Sequence, residues 1–381
     1  MLDSDPSGGR KPLYWRLADA IKANIEAGKY ARGDLLPSER RLTELFDVSR
    51  ITVRKALEQI VEEGVVERHG RLGYRVPQHP PGRPAFGDGE SGLHHREAEE
   101  LVLCLPFYPN HYHGNRLIEA LEGVLVREPF HLVLKNTNED VNTEIETLTA
   151  LTDNSPGTIL FLPSRPRIAQ YGDFLSRLGA DSSLIFLDRQ VYGAEFPYVG
   201  TDNTGAVVKA VGELQKAGHR RIAFVGYKGH SAELERFAGY KLGLHLYGLP
   251  HDTELVRFEY HLMEYNCEYG VVGRASTEEL LRLENPPTAI ITVNDFVASG
   301  VHKQANELGL SVPGELSLIG FDEDPIAQAI AGAGFNTFRH NYQGFSRSVL
   351  ALLKGTVPRD TSTRITIAAE YVDHGSVVPP K

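Results

Sequence analysis

Leu35-Leu36-Pro37-Ser38-Glu39-Arg40-Arg41-Leu42, followed by Val48-Ser49-Arg50-Ile51-Thr52-Val53-Arg54-Lys55-Ala56-Leu57, decides how the front of this 381-residue chain folds. Ser38 is a good N-cap, because its hydroxyl accepts from a backbone N–H that the first helical turn leaves unpartnered. Leu42 and Leu45 follow three apart, so the pattern predicts a short helix from Ser38 to about Phe46. Asp47-Val48 makes the turn, and Ser49 caps a second helix whose buried face is Val53, Ala56, Leu57 and Ile60 at spacings of three and four. The first turns of that helix expose Arg50, Thr52, Arg54 and Lys55. Cations at a helix N-terminus oppose the macrodipole, so three of them cost stability unless an anion docks there. DNA phosphates and guanine edges are such anions and acceptors.

Downstream, Val65-Val66-Glu67-Arg68-His69-Gly70-Arg71-Leu72-Gly73-Tyr74-Arg75-Val76 forms two β-prone runs around Gly70 and Gly73, a hairpin with a basic tip. Upstream, Leu13, Leu17, Ile21 and Ile25 space as the apolar stripe of a helix packed on the pair. The segment from Pro12 to Val76 resembles the GntR-type winged helix-turn-helix in its Pro-Ser-Glu-Arg turn, its Val-Ser-Arg-x-Thr-Val-Arg helix start and its Gly-x-x-Gly wing. The resemblance implies that Arg40, Arg50, Thr52 and Arg54 face phosphates and major-groove bases. It also implies that His69, Gly70 and Arg71 approach the minor groove.

Taken whole, the net charge of −10 argues against nucleic acid, but it is unevenly distributed. Residues 1–76 carry 14 Lys and Arg against 12 Asp and Glu, and the remainder carries 26 against 38. The head therefore hides a local basic face, while the body is repelled by phosphate. Length suits two or three domains, and 41% hydrophobic with 24% charged residues is ordinary for a soluble protein. Cys104 and Cys267 stand in unrelated contexts and without a metal-like spacing partner, so neither a disulfide scaffold nor a zinc finger is expected. The front has no apolar signal core and no run approaches about 18 apolar residues, so a cytoplasmic protein without membrane contact is expected. Pro77, Pro80, Pro81 and Pro84 with Gly82, Gly87, Gly89 and Gly92 mark a linker at 77–99, in which His94-His95 is read as a solvated pair. The expected organisation is a winged helix-turn-helix domain at 10–76, that linker, and an effector-binding and dimerisation domain at 100–381.

From Glu100 onward, β-rich runs alternate with amphipathic stretches such as Asn115 to Arg127 and Phe296 to Leu308. The runs include Leu101 to Leu105, Phe130 to Leu134, Thr158 to Leu162, Leu184 to Leu187, Ile222 to Gly226, Ala289 to Val293 and Leu316 to Phe321. Buried parallel strands flanked by helices make an α/β doubly wound parallel-sheet fold, whose ligands sit beyond the carboxyl ends of the strands. Asp188-Arg189, Asn294-Asp295 and Asp322-Glu323-Asp324 follow such ends. Carboxylates accept from paired hydroxyls and aromatic faces cover apolar ring faces, the chemistry of a polyhydroxylated ligand, although strand-end acids also cap helices.

A second resemblance covers about Leu101 to Val372. It is carried by Gly218 to Gly226, by Arg236-Phe237-Ala238-Gly239-Tyr240, by Thr288 to Asp295, and by Val312-Pro313-Gly314-Glu315 through Asp322. These look like the effector-binding domain of LacI/GalR-type repressors, itself similar to type I periplasmic sugar-binding proteins with two α/β lobes around a cleft. The resemblance implies polar sugar contacts at Asp188, Arg236, Asn294 and Asp322, with Arg189 beside them. It implies walls from Phe107 or Tyr108, Phe161, Tyr265 and Tyr342. His111 and His113 are read as lining or solvated rather than metal ligands. The front departs from LacI/GalR proteins, lacking their helix-turn-helix and hinge helix. A GntR-type head on a LacI/GalR-type body is the arrangement of arabinose-repressor (AraR) type regulators and raises a pentose as effector.

The expectation is a homodimeric repressor of sugar-utilisation genes that leaves near-palindromic double-stranded operator DNA when a monosaccharide closes its cleft. A transport protein would share the body but has no use for a winged helix. An enzyme would need a catalytic constellation, and the chain has no Gly-rich phosphate loop with lysine, no Gly-x-Ser-x-Gly elbow and no His-Glu-x-x-His. No cofactor and no metal are expected.

Overall fold

The computed structural model describes residues 13–26, 29–30, 33–46, 48–62, 65–68, 73–76, 99–106, 112–153, 157–178, 183–259 and 269–381. The chain divides into two compact units, Met1–Leu93 and His94–Lys381. In the first, α1 (Leu13–Glu26), α2 (Glu39–Phe46) and α3 (Arg50–Glu62) precede a hairpin of β1 (Glu67–Arg68) and β2 (Tyr74–Arg75). Both expected caps are made: Ser38 Oγ accepts from Arg41 N at 3.3 Å and Ser49 Oγ from Thr52 N at 3.2 Å. One core gathers Leu17 and Ile21 of α1, Leu42 of α2, Val53, Ala56, Leu57 and Ile60 of α3, and Val66, Tyr74 and Val76 around the hairpin. Burying each such aliphatic side chain contributes about 1.5–3 kcal/mol, so the three-and-four spacing of α3 is what docks it. β1 and β2 pair antiparallel, Glu67 opposite Arg75 and Arg68 opposite Tyr74. The wing tip at 69–72 and nearly all of the expected linker lie outside the described residues.

The second unit holds two parallel sheets. The first has the order β13-β7-β6-β5-β3-β4, built from β3 (Glu99–Leu105), β4 (Phe130–Asn136), β5 (Thr158–Phe161), β6 (Leu184–Leu187), β7 (Tyr198–Thr201) and β13 (Arg364–Ile367). It is covered on both faces, and side-chain parity divides the residues between them. Leu101, Leu103 and Leu105 join a core with α4 (Tyr112–Leu125) and α12 (Tyr342–Leu353). Val102 and Cys104 join the opposite core with α5 (Val141–Asp153) and α6 (Phe174–Arg177). The second sheet, β11-β10-β8-β9, consists of β8 (Ile222–Tyr227), β9 (Val256–Glu259), β10 (Ala289–Thr292) and β11 (Ser317–Ile319). Around it are α7 (Asn203–Lys216), α8 (Ser231–Leu246), α9 (Tyr269–Leu281), α10 (Asp295–Glu307) and α11 (Pro325–Ala331). β12 (Thr337–Arg339) and β14 (Glu370–Val372) pair antiparallel in a small separate ribbon.

All seven predicted runs are strands, and the two predicted helices occupy Tyr112–Leu125 and Asp295–Glu307, each begun slightly earlier than the periodicity indicates. The first lobe is not one continuous segment. The chain leaves it after β7, builds the second lobe, returns at α12 and β13, and crosses back at β14, whose partner β12 follows β11. Among the described residues no helix is long and apolar enough to cross a membrane.

Candidate functional sites: a charged helix face and a cleft

On the head, Arg50 and Arg54 are one turn apart on α3 and both reach Glu39 of α2, each at 3.2 Å from its Oε2. Their side chains are 71% and 52% exposed, whereas that of Glu39 is 19% exposed. The Arg54 hydrogen bond, outweighing partial burial, holds the Glu39 carboxyl below its ordinary value. The carboxylate thus aligns two guanidinium groups in a solvent-facing pair. Thr52 Oγ1 is hydrogen-bonded to the cap hydroxyl of Ser49 at 2.8 Å. Ile51 is 72% exposed between them, an apolar group of the kind that meets a thymine methyl, and the sequence reading had not singled it out. The side chain of Arg40, and all of His69, Gly70 and Arg71, lie outside the described residues.

In the second unit, the C-terminal ends of both sheets face a cavity of about 90 Å³ lined by polar side chains from the two lobes. Asp188 follows β6 and Asp322 follows β11, and both adopt positive φ, 60° and 105°. Such backbone costs about 1–3 kcal/mol per residue and needs fixing from outside. It is fixed by ladder hydrogen bonds, Asp188 N to Val199 O at 2.7 Å and Asp322 N to Phe338 O at 2.9 Å. Tyr198 folds back over Gly200, where a Cβ would meet its hydroxyl at 1.8 Å, and donates to Asp188 O at 3.2 Å.

Arg236, on α8, ties the second lobe's side of the cleft together. Its Nε donates to Asn203 Oδ1 at 2.9 Å, its Nη1 to Val293 O at 2.6 Å, and its Nη2 lies 3.3 Å from Asp322 Oδ1. Its guanidinium lies 3.6 Å from the centroid of the Phe321 ring, a cation–π contact strengthened by burial. Burial pushes the Asp322 carboxyl up, but Arg236 and His340 prevail and hold it below its ordinary value. Asp188 is also held low, because His113, His340 and Arg189 outweigh its burial. His113 Nε2 is 3.2 Å from Asp188 Oδ2, and His340 Nε2 is 3.1 Å from Asp322 Oδ1. The two imidazoles are 4.3 Å apart, linking the acid of one lobe to the acid of the other.

Asn294 lines the cavity while its Oδ1 caps α10 through Val297 N at 3.0 Å, and its Nδ2 donates to Tyr227 Oη at 2.8 Å. Cap and cleft residue are therefore the same side chain. Its neighbour Asp295 is fully buried, accepting from Thr337 Oγ1 at 2.7 Å and Asp324 N at 2.8 Å. Burial and the Asp322 charge raise its pKa well above the usual carboxylate range. Gly320 leaves it room, since a Cβ there would stand 2.1 Å from Asp295 Oδ1.

The cavity thus brings together Asp188, Arg189, Arg236, Asn294 and Asp322 of the expected set. Phe161 is a correction: its place in β5 turns it to the α5 side, where it is fully buried edge-on to Tyr171, away from the cleft. Tyr342 stands behind the wall rather than in it, hydrogen-bonding His113 Nδ1 at 3.1 Å. Phe107, Tyr108, His111 and Tyr265 lie outside the described residues. Sequence reasoning left out Tyr227, His230, Glu233 and Phe296, all lining residues, and noted Asp324 at a strand end without placing it in the site. Tyr227 ends β8, so the strand-end rule applied to every strand reaches it as well. Among the described residues no group of three His, Cys, Asp or Glu is arranged to hold a metal ion.

Comparison with known proteins matches residues 13–76 to the gntR family of bacterial regulatory proteins and residues 211–377 to the periplasmic binding protein-like domain. The chain is 24% identical over 334 residues to the arabinose metabolism transcriptional repressor of Geobacillus stearothermophilus, covering 86% of each chain. Over 65 residues, 17% of this chain and 26% of the other, it is 45% identical to the HTH-type transcriptional regulator GgaR of Escherichia coli K12. Transcription regulator CcpA of Lactococcus lactis superimposes with a TM-score of 0.61 at 18% identity, over 74% of this chain and 99% of that one. The chain is thus built from a GntR-type helix-turn-helix domain and a periplasmic-binding-protein-like domain of the LacI/GalR fold, the pairing expected of an arabinose-repressor type regulator.

Proposed function

We propose that this protein is a sugar-responsive transcriptional repressor. In this reading a homodimer reads a near-palindromic double-stranded operator through Arg50, Thr52, Arg54 and, from the wing, His69, Gly70 and Arg71. The observation that carries the sensor half is the convergence of Asp188, Arg189, Arg236, Asn294 and Asp322 from two lobes on one polar cavity. A ligand held by groups of both lobes favours the arrangement in which they approach, and that differential affinity is what moves DNA binding. The similarity to an arabinose metabolism repressor supports a pentose, arabinose first, and regulation rather than catalysis.

The charge of the cavity supports a free sugar over a sugar phosphate. Asp188, Glu233, Asp322 and Asp324 line it, and its two arginines are already engaged, Arg236 with Asp322 and Arg189 with Glu139 at 3.7 Å. A phosphate dianion would meet carboxylates with no uncommitted guanidinium to balance them. Sugar hydroxyls donate to those carboxylates instead.

The test is fluorescence anisotropy of the full-length protein on its own upstream intergenic DNA, at fixed salt, with arabinose, other pentoses, hexoses and their phosphates. The reading expects tight binding weakened by one neutral sugar. Tight binding unaffected by every sugar would retain the DNA-binding half and sink the sensor half.

A further inference from the structure

The turn between β4 and α5 carries two successive non-glycine residues in the left-handed region, Asn138 at φ 51° and Glu139 at φ 57°. Each is an uncommon conformation for a side-chain-bearing residue, and a local device holds it: Asn136 Oδ1 accepts from Asn138 N at 3.0 Å, while Asp140 caps α5 through Thr143 N at 2.8 Å. The result aims Glu139 out of the first lobe and onto His230, the residue that precedes α8 in the second lobe. His230 is 5% exposed. Its Nε2 meets Glu139 Oε1, its Nδ1 lies 3.1 Å from Glu233 Oε1, and its backbone N donates to Glu233 Oε2 at 2.6 Å. Arg189, from the end of β6, faces the same group from the first lobe, and Arg236 stands behind Glu233. A second bridge lies beside it: Gln190 N donates to Ser231 Oγ at 2.9 Å and Gln190 Nε2 to Glu235 Oε1 at 2.6 Å.

We propose that Glu139 and His230 form a proton-dependent clasp across the cleft, whose closing and opening set how firmly the two lobes hold together around an effector. His230 is buried and Glu139 half-buried at this interface, so losing the charge on His230 leaves Glu139 and Glu233 without their shared cation, with only Arg189 and, behind Glu233, Arg236 to offset them. Burial and the Arg189 charge push the imidazolium's pKa down, Glu233 and Glu139 push it up, and the carboxylates prevail, so His230 titrates above its ordinary 6.5 when the clasp is shut. A group whose pKa is raised in the closed form stabilises that form fully below its open-form value. The stabilisation is lost as pH rises through the closed-form value. The clasp is therefore held shut at low pH and loosens as pH rises through the raised value of His230. Its effect on an effector rests on the sensor reading above, whereas lobe closure itself does not.

Hydrogen–deuterium exchange of the full-length protein at pH 6.5 and pH 9, corrected for intrinsic rates, separates the two. Segments 136–141 and 228–236 are expected to lose protection on going to pH 9. The isosteric Glu139→Gln variant is expected to show the lower protection at both pH values, with segment 50–62 of the head unchanged in all samples. Equal protection at the two pH values in the wild type, or an unaltered pH response in Glu139→Gln, overturns the clasp. Arabinose titrations at the same pH values then test the coupling: weaker binding at pH 9 supports it, and equal affinities overturn it. Failure of arabinose to bind, with the exchange result intact, removes the sugar assignment and leaves the clasp standing.

Discussion

The arginines of the two units do opposite work. Arg50 and Arg54 stand in solvent and share one carboxylate, whereas Arg236 is buried and its three nitrogens meet an amide oxygen, a backbone carbonyl and a carboxylate while its face covers Phe321. Exposed pairs of the first kind contribute little to stability, roughly 0–1 kcal/mol each, so exchanging Glu39 for a phosphate or a guanine costs little. A buried arginine of the second kind cannot be exchanged for anything. On the DNA-binding reading proposed above, a residue offered to a charged partner is held loosely, and one that frames a pocket is held on every side.

The sharpest way to break that contrast is Arg236→Ala. It leaves Asp322 without its guanidinium and is expected to destabilise the body by about 4 kcal/mol, with loss of any effector response. Thermal unfolding and anisotropy check both, and a melting curve like the wild type's would put Arg236 in the class of Arg54. Leu57→Ala, in the head's core, is next at about 3 kcal/mol. It should abolish operator binding by unfolding the head while the body's thermal transition stays where it was. Arg54→Ala is expected to weaken operator binding by about 2 kcal/mol without shifting either transition, because its side chain is exposed. A salt titration sharpens this: a slope reduced by about one marks a phosphate contact, and an unchanged slope with relaxed sequence preference marks a base contact. The smallest change is Ser49→Ala, which removes the cap of α3 and is expected to cost the head about 1 kcal/mol by denaturant unfolding. A larger loss would mean that Ser49 also orients Thr52 through their shared hydrogen bond.

The same two regions differ in how readable they were. The head declares itself because its caps, core positions and exposed cations fall within about twenty consecutive residues, and each is a local helix signal. The alternation of strands and helices in the body is equally plain, although β7, β9, β13 and the β12–β14 ribbon went unread: β9, β12, β13 and β14 mix charged residues into short runs and β7 contains a glycine, whereas the equally short strands that were read are almost wholly apolar. The cleft was half legible. Asp188, Asn294 and Asp322 announce themselves by following apolar runs, but His113 meets Tyr342 across 229 residues and His230 meets Glu139 across 91. No periodicity records such distances. Phe161 was misassigned for a related reason: the end of a strand identifies a level in the fold, and only parity, visible once helices cover both faces, says which side a residue takes.

The chain's passages between its lobes bear on how the molecule can be taken apart. Because α12 and β13 return to the first sheet after the second lobe has been built, a polypeptide ending near residue 340 would lack an edge strand and a covering helix of the first lobe. Neither lobe is a portable part, and grafting one onto another protein would require cutting at several places and rejoining the ends. The head is different, since its residues form one continuous segment ending near Leu93. Exchanging the head therefore needs one cut in the chain, whereas exchanging either lobe of the body needs several.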